Sequence, residues 1–274
     1  MLVRRVSLLL AVAMLAMLLG GASLAVGADP GSEGLTELLV ASGDRAALPR
    51  IVDALAGVVT TALSSVADPD DTERIVGQMI TVDDLFDRLV KAGTRGFEAE
   101  RASRLLAWLR TPGAQRITQL ELKGAGASES EIAAYNAQPD SAPDPQRVRL
   151  LERLEAATHA SEVNVEILLA IQRGLVRGAL PPSAPRPPAS PNEAAIRSLV
   201  AAERAQVFAQ HRYTYRELTN DELAAYVTIT EQDDHRWFGR LMRTALVDAV
   251  ESSCEDAARK TLASARRRPR AERI

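Results

Sequence analysis

The chain has 274 residues, with 33 Lys and Arg against 36 Asp and Glu, a formal net charge of −3 and a pI near 5.8. That balance argues against nucleic acid as the main partner, which calls for a basic face. Cys254 is the only cysteine, so no internal disulfide can form, and stability has to come from a core that a chain of this length can bury.

Residues 1–28 read as a secretory signal. Arg4 and Arg5 supply a positive end, residues 6–19 are an uncharged apolar run, and small residues lead to Val26-Gly27-Ala28 before Asp29-Pro30. Ser23-Leu24-Ala25 offers a second cleavage point. The apolar run is shorter than the ~20 residues that span a bilayer, although the whole uncharged stretch 6–28 is long enough for an uncleaved anchor. No cysteine stands near the cleavage point, which excludes a lipid-modified N-terminus, and the arginine pair lacks the surroundings of a twin-arginine signal. The expected destination is the periplasm.

Beyond the signal the pattern is helical throughout. Ala, Leu, Arg and Glu dominate, and apolar residues recur at helical spacing without strand-like alternation. Leu35, Leu38 and Leu39 share a face that ends at Gly43, a good C-terminal cap. Leu48, Ile51, Val52, Leu55, Val59 and Leu63 form the next stripe. Asp68 is placed as an N-cap with Pro69 at the first helical position, and Thr81 caps a helix with Leu85, Phe86 and Leu89 in the core, closing at Gly93. Leu105, Leu106, Trp108 and Leu109 follow, and then a Thr111-Pro112 corner. There the proline disfavours helix at Thr111 and starts a new helix with Thr111 as its cap. Gly113 and Ala114 are expected to allow close helix contact, and Gln115 and Arg116 to face outward.

Residues 29–123 are taken as a first helical unit and 124–145 as a polar connection with a short helix around Ile132. Residues 146–250 form a second unit, interrupted at 181–191 by a stiff, extended spacer with six prolines. Residues 251–274 make a helix end and a basic tail. The two units align. At an offset of 116, Leu35 falls on Leu151, Leu38 on Leu154, Ser42 on Thr158, Ile51 on Ile167, Val52 on Leu168, Leu55 on Ile171 and Val59 on Leu175. At an offset of 121, Phe97 falls on Leu218, Leu106 on Val227, Trp108 on Ile229, Gln115 on Arg236 and Ile117 on Phe238. The offset changes where the Pro-rich spacer occurs. The expected fold is an all-α amphipathic helix bundle built from two related helical halves.

The run from Leu35 to Gly43, the long helix after it, and Trp108, Thr111, Pro112, Gly113, Gln115 and Arg116 resemble the bacterial exported domain of unknown function numbered 2059. In this chain Gly113-Ala114 replaces that family's small-Gly order. The second unit keeps Leu218, Thr219 as cap, Glu222, Leu223 and Tyr226, but carries Gln232-Asp233-Asp234-His235 at the corner, where Thr230 or Asp233 would cap or the helix would run on. The resemblance implies an all-helical exported protein and brings no activity or catalytic residues with it.

Candidate chemistry is sparse. His159, His211 and His235 are the only histidines, and no His-Glu-x-x-His is present. Glu231, Asp234 and His235 fall close together on one helix face, and Glu231 and His235, four apart, offer two converging ligands to a metal, against the plainer alternative of a solvated face with one i,i+4 pair. Asp68, Asp70, Asp71 and Glu73 lack the spacing of a calcium loop and are explained by capping. Cys254 stands among Glu251, Glu255 and Asp256, which disfavour a thiolate. Trp108, Trp237, Phe238, Tyr226, Phe86 and Phe97 are expected in the core, or else around an apolar groove between the units for a partner helix or lipid tail. The basic residues Arg259, Lys260, Arg266, Arg267, Arg268, Arg270 and Arg273 offer contact with an anionic membrane surface. No catalytic, cofactor or metal residue is assigned. The function expected is a non-catalytic periplasmic binding or scaffold protein with an unknown protein partner or apolar ligand; the alternative is a small-molecule or lipid carrier with a cavity between the halves.

Overall fold

The computed structural model describes residues 30–138, 144–181, 184 and 192–267, and among these it contains twelve helices, one 3-10 turn and no strand. The fold is an all-α helical bundle. The expected signal sequence, most of the Pro-rich spacer, and Arg268, Arg270 and Arg273 lie outside the described residues. The helices are α1 (Pro30–Ser42), α2 (Asp44–Leu63), α3 (Pro69–Met79), α4 (Val82–Gly93), α5 (Ala99–Leu109), α6 (Pro112–Ala125), α7 (Glu129–Asn136), α8 (Pro145–Thr158), α9 (Ala160–Ala179), α10 (Glu193–Thr214), α11 (Asn220–Thr230) and α12 (Asp233–Arg267).

Side-chain caps set most helix starts. The Asp68 carboxylate accepts from the Asp71 N–H at 3.0 Å, with Pro69 beginning α3. Thr81 accepts from Asp84 N at 3.2 Å and opens α4, which closes at Gly93. Ser128 with Glu131, and Thr219 with Glu222, form reciprocal capping boxes at α7 and α11. α7 is the short helix of the polar connection, and its Ile132 is buried.

Two clusters of apolar side chains hold the helices together. The larger takes Leu35, Leu38 and Leu39 from α1, the whole Leu48-to-Leu63 stripe of α2, Leu85 and Leu89 of α4, Leu105, Leu106 and Leu109 of α5, Val163, Ile167 and Ile171 of α9, and Trp237 through Ala258 on α12. A fully buried Leu contributes about 1.5–3 kcal/mol relative to exposure. The smaller joins Leu120 of α6, Leu150, Leu151 and Leu154 of α8, Leu223 and Val227 of α11, and Tyr215 and Leu218 between α10 and α11. Trp108 of α5 packs against both. Residues from both sequence units therefore share the larger cluster. α2 is apolar enough to cross a membrane by length and composition, with mean hydropathy 1.5, but its stripe is the backbone of this core.

Helix boundaries recur along the chain. Gly43 between α1 and α2, and His159 between α8 and α9, both take the left-handed conformation, at φ 73° and 54°. The helices after them, α2 and α9, are each 20 residues long. α5 and α11 are each 11 residues long, and the helices that follow begin at Pro112 and Asp233, three positions after Leu109 and Thr230.

Two helix contacts correspond at the 121 offset. α6 lies against α10, and Gly124 meets Thr214; α12 lies against α4, and Ala245 meets Gly93. Arg50 of α2 donates to the Leu122 carbonyl of α6 at 2.9 Å, and at the corresponding place Arg243 of α12 pairs with Glu166 of α9 at 2.5 Å. α12 then continues past the length of α6 and packs tightly along α9. A β-carbon on Gly174 or Gly178 would come within 2.4 Å of a carbonyl oxygen of α12.

The Thr-Pro corner is structural. Thr111 accepts from Ala114 N at 3.3 Å and Pro112 is the first residue of α6. Ala114 is buried and Arg116 exposed, but Gly113 is exposed with open space around it, so it makes no close helix contact. The helix also breaks at the second corner, without a Thr-Pro. Neither Thr230 nor Asp233 is its cap: the Thr230 hydroxyl donates back to the Val227 carbonyl, and the carbonyl of Gln232 receives Arg236 N–H at 3.0 Å.

Candidate functional site

A cavity of about 80 Å³ opens where the two left-handed corners approach α5, α6, α11 and α12. Its wall is made largely of corresponding positions: Ser42 with Thr158, Leu105 with Tyr226, Leu109 with Thr230, Ile117 with Phe238, Thr118 with Gly239, and Glu121 with Met242. Trp108, Asp44 and His235 complete the polar and aromatic lining. That lining includes two carboxyl groups and no Lys or Arg.

Glu121 is the most elaborately held group. It projects from α6 into the smaller cluster, at 5% exposure. Tyr215 and Tyr226 both donate to its Oε1, at 2.8 and 2.7 Å. Burial pushes its carboxyl up to about 8 against the pull of the two hydroxyls, and the Asp44 charge adds to the rise. Burial and the neighbouring Glu121 in turn hold the two phenols well above their ordinary range.

Asp44 begins α2, directly after the left-handed Gly43. It accepts from the Ser42 hydroxyl, and burial raises its carboxyl to about 7. Neither Asp44 nor Glu121 has a Lys, Arg or His partner among the described residues. Exposed carboxylates around them do: Arg104 takes Asp234 through two nitrogens at 2.7 and 2.9 Å, and Arg153 takes Glu231 at 3.0 and 2.7 Å.

His235 is the third polar group. Its ring stands edge-on to Trp108, with centroids 5.2 Å apart, and Trp108 lies parallel to Tyr226 at 6.3 Å. Burial lowers the imidazole to about 4, so it is neutral at physiological pH, and its Nε2 is buried without a partner among the described residues. The arrangement can accept hydrogen bonds from a guest, offset a positive charge, and exchange protons near neutral pH.

The sequence expectation that Glu231, Asp234 and His235 share one helix face is corrected here. The break between α11 and α12 falls between Glu231 and Asp234, and each acid turns outward to an arginine while His235 turns inward. No three of His, Cys, Asp and Glu gather as metal ligands among the described residues. Asp68 serves as a cap, and Asp71 pairs with Arg74 at 3.1 Å. His159 is an exposed corner residue, and His211 is buried beside Tyr215 and lowered to about 4 by that burial. Cys254 is fully buried against α9, and burial, then Glu251, push its thiol up to about 12. Arg259, one of the basic residues read as a membrane contact, pairs with Glu255 and Asp256 on its own helix.

Sequence reasoning missed Asp44, Glu121 and Tyr215. Glu121 had a readable signal: with Ile117, Leu120 and Gly124 it occupies an inward helical face, where an acid is out of place. Neither a protein-family model, nor a curated protein, nor a solved structure matches the chain.

Proposed function

We propose that this is an exported, non-catalytic helical binding protein that holds a small molecule in the cavity between its two halves. The observation that carries the reading is the pair of carboxyl groups, half-buried Asp44 and buried Glu121, lining one cavity without a protein cation. Burying a carboxylate without a counter-charge is unfavourable, and strongly perturbed groups gathered in a cleft mark functional sites. At about 80 Å³ the cavity suits a small guest better than a lipid tail. Of the large apolar side chains exposed among the described residues, Val66 stands apart, and Val176 and Leu180 sit one turn from each other at the end of α9 as a two-residue patch, which favours the cavity over an extended apolar groove as the binding place.

The halves are read as products of duplication, followed by exchange of their last helices. The recurring corners, helix lengths and contacts support this, and the cavity then lies where the copies face each other. The apolar leader supports export to the periplasm, as does the resemblance at the Thr-Pro corner. The test is native mass spectrometry of the protein recovered from its own cells. A small mass that is retained natively and lost on denaturation supports the reading; a bare chain from every preparation contradicts it.

A further inference from the structure

We propose that the guest of this cavity carries an ammonium group, which sits between the carboxylates of Asp44 and Glu121 and beside the aromatic rings of Trp108 and Tyr226. The inference rests on the binding reading above and names the ligand class for that site. Four observations converge on it.

The lining presents acceptors in excess. Both tyrosine hydroxyls are directed at Glu121 Oε1, which leaves Oε2 for a guest. Ser42 takes one oxygen of Asp44 and leaves the other. The buried Nε2 of neutral His235 has no partner; with the ring proton on Nδ1 it becomes a third acceptor, matching the three hydrogens of a primary ammonium.

The charge balance points the same way. Two carboxyls face the cavity and no Lys or Arg does, so a cationic guest would stabilise the ionised carboxylates that burial by itself disfavours. The aromatic rings decide the kind of cation. Trp and Tyr faces attract organic ammonium groups, whose hydration shell is more easily given up than that of a small inorganic ion. A divalent metal needs more ligand groups than the described residues bring together.

The experiment uses the full chain as purified, followed by thermal melting and calorimetric titration with methylammonium. Potassium at equal ionic strength, calcium and the uncharged isostere methanol are the comparisons. Methylammonium is expected to raise the melting temperature in a saturable way, while the other three do not. Glu121→Gln keeps an oxygen for both tyrosines, and Asp44→Asn keeps one for Ser42. Each, once shown folded by circular dichroism, is expected to weaken methylammonium binding at least tenfold, about 1.4 kcal/mol. Binding of wild type is also expected to tighten as the pH rises from 6 to 9, as Asp44 and Glu121 lose their protons. His235, Tyr215 and Tyr226, which also face the site, stay neutral over that range. Equal stabilisation by methanol or potassium, or full affinity in both variants, would overturn the ammonium assignment and leave cavity binding standing. No response to any probe, together with a bare chain in the native spectrum, would overturn both.

Discussion

Gly124 of α6 and Thr214 of α10 approach so closely that a β-carbon on residue 124 would lie 2.2 Å from the threonine hydroxyl oxygen. Gln210 closes the contact by donating to the Gly124 carbonyl at 2.9 Å and to the Thr214 hydroxyl at 3.3 Å. The corresponding pair, Gly93 and Ala245, holds α4 against α12. Gly124→Ala is therefore expected to destabilise the protein by about 1–3 kcal/mol, through overpacking at a contact that seats Glu121 nearby. Chemical denaturation checks this; an unchanged midpoint would mean that α6 and α10 are not in this contact.

The left-handed corners make a second prediction. Gly43 takes its conformation without strain, whereas His159 takes the same conformation with a β-carbon. Such a residue costs on the order of 1 kcal/mol. Gly43→Ala should lower stability by about that amount or more, and His159→Gly should raise it by up to about 1 kcal/mol, because the His159 side chain is exposed and little packing is lost. Paired thermal melts of the two variants test both signs.

The buried acids predict a pH dependence. Glu121 stands near 4.5 when unfolded and about 8 when folded, so the folded chain holds a proton that the unfolded chain releases. Its contribution is fully present below about pH 4.5 and is lost as the pH rises towards 8. Asp44 acts in the same sense up to about 7. Glu121→Gln, which has no proton to lose, should melt well above wild type at pH 8.5, by on the order of 3 kcal/mol, and about level with it near pH 4.5. His211 and His235 work oppositely. Both are lowered to about 4, so the stability they allow is lost as the pH falls from 6.5 towards 4.

Much of the helix pattern was legible because capping and periodicity are local. Asp68, Thr81, Thr111 and Thr219 all cap the helices their positions imply, and the Leu48-to-Leu63 stripe is buried throughout. The cavity was not legible, because it depends on tertiary packing between helices distant in sequence. Asp44 and Glu121 come to one cavity through the packing of α6 on α2, where Ala47 meets Leu122 and Ala125, and no spacing rule links them. His235 misled for a related reason. Its i,i+4 relation to Glu231 assumed one continuous helix, but the chain breaks at the second corner even though the proline is absent there.

The account stands on Glu121 being buried without a counter-cation, and the titration of its own carboxyl carbon tests that most directly. Carbon-13 NMR of the ligand-free protein, with Glu121→Gln used to assign the resonance, should show a midpoint near 8. A midpoint near the ordinary 4.5 would mean that the carboxylate is solvated or already paired, and would contradict the account of the cavity as a site awaiting a cation.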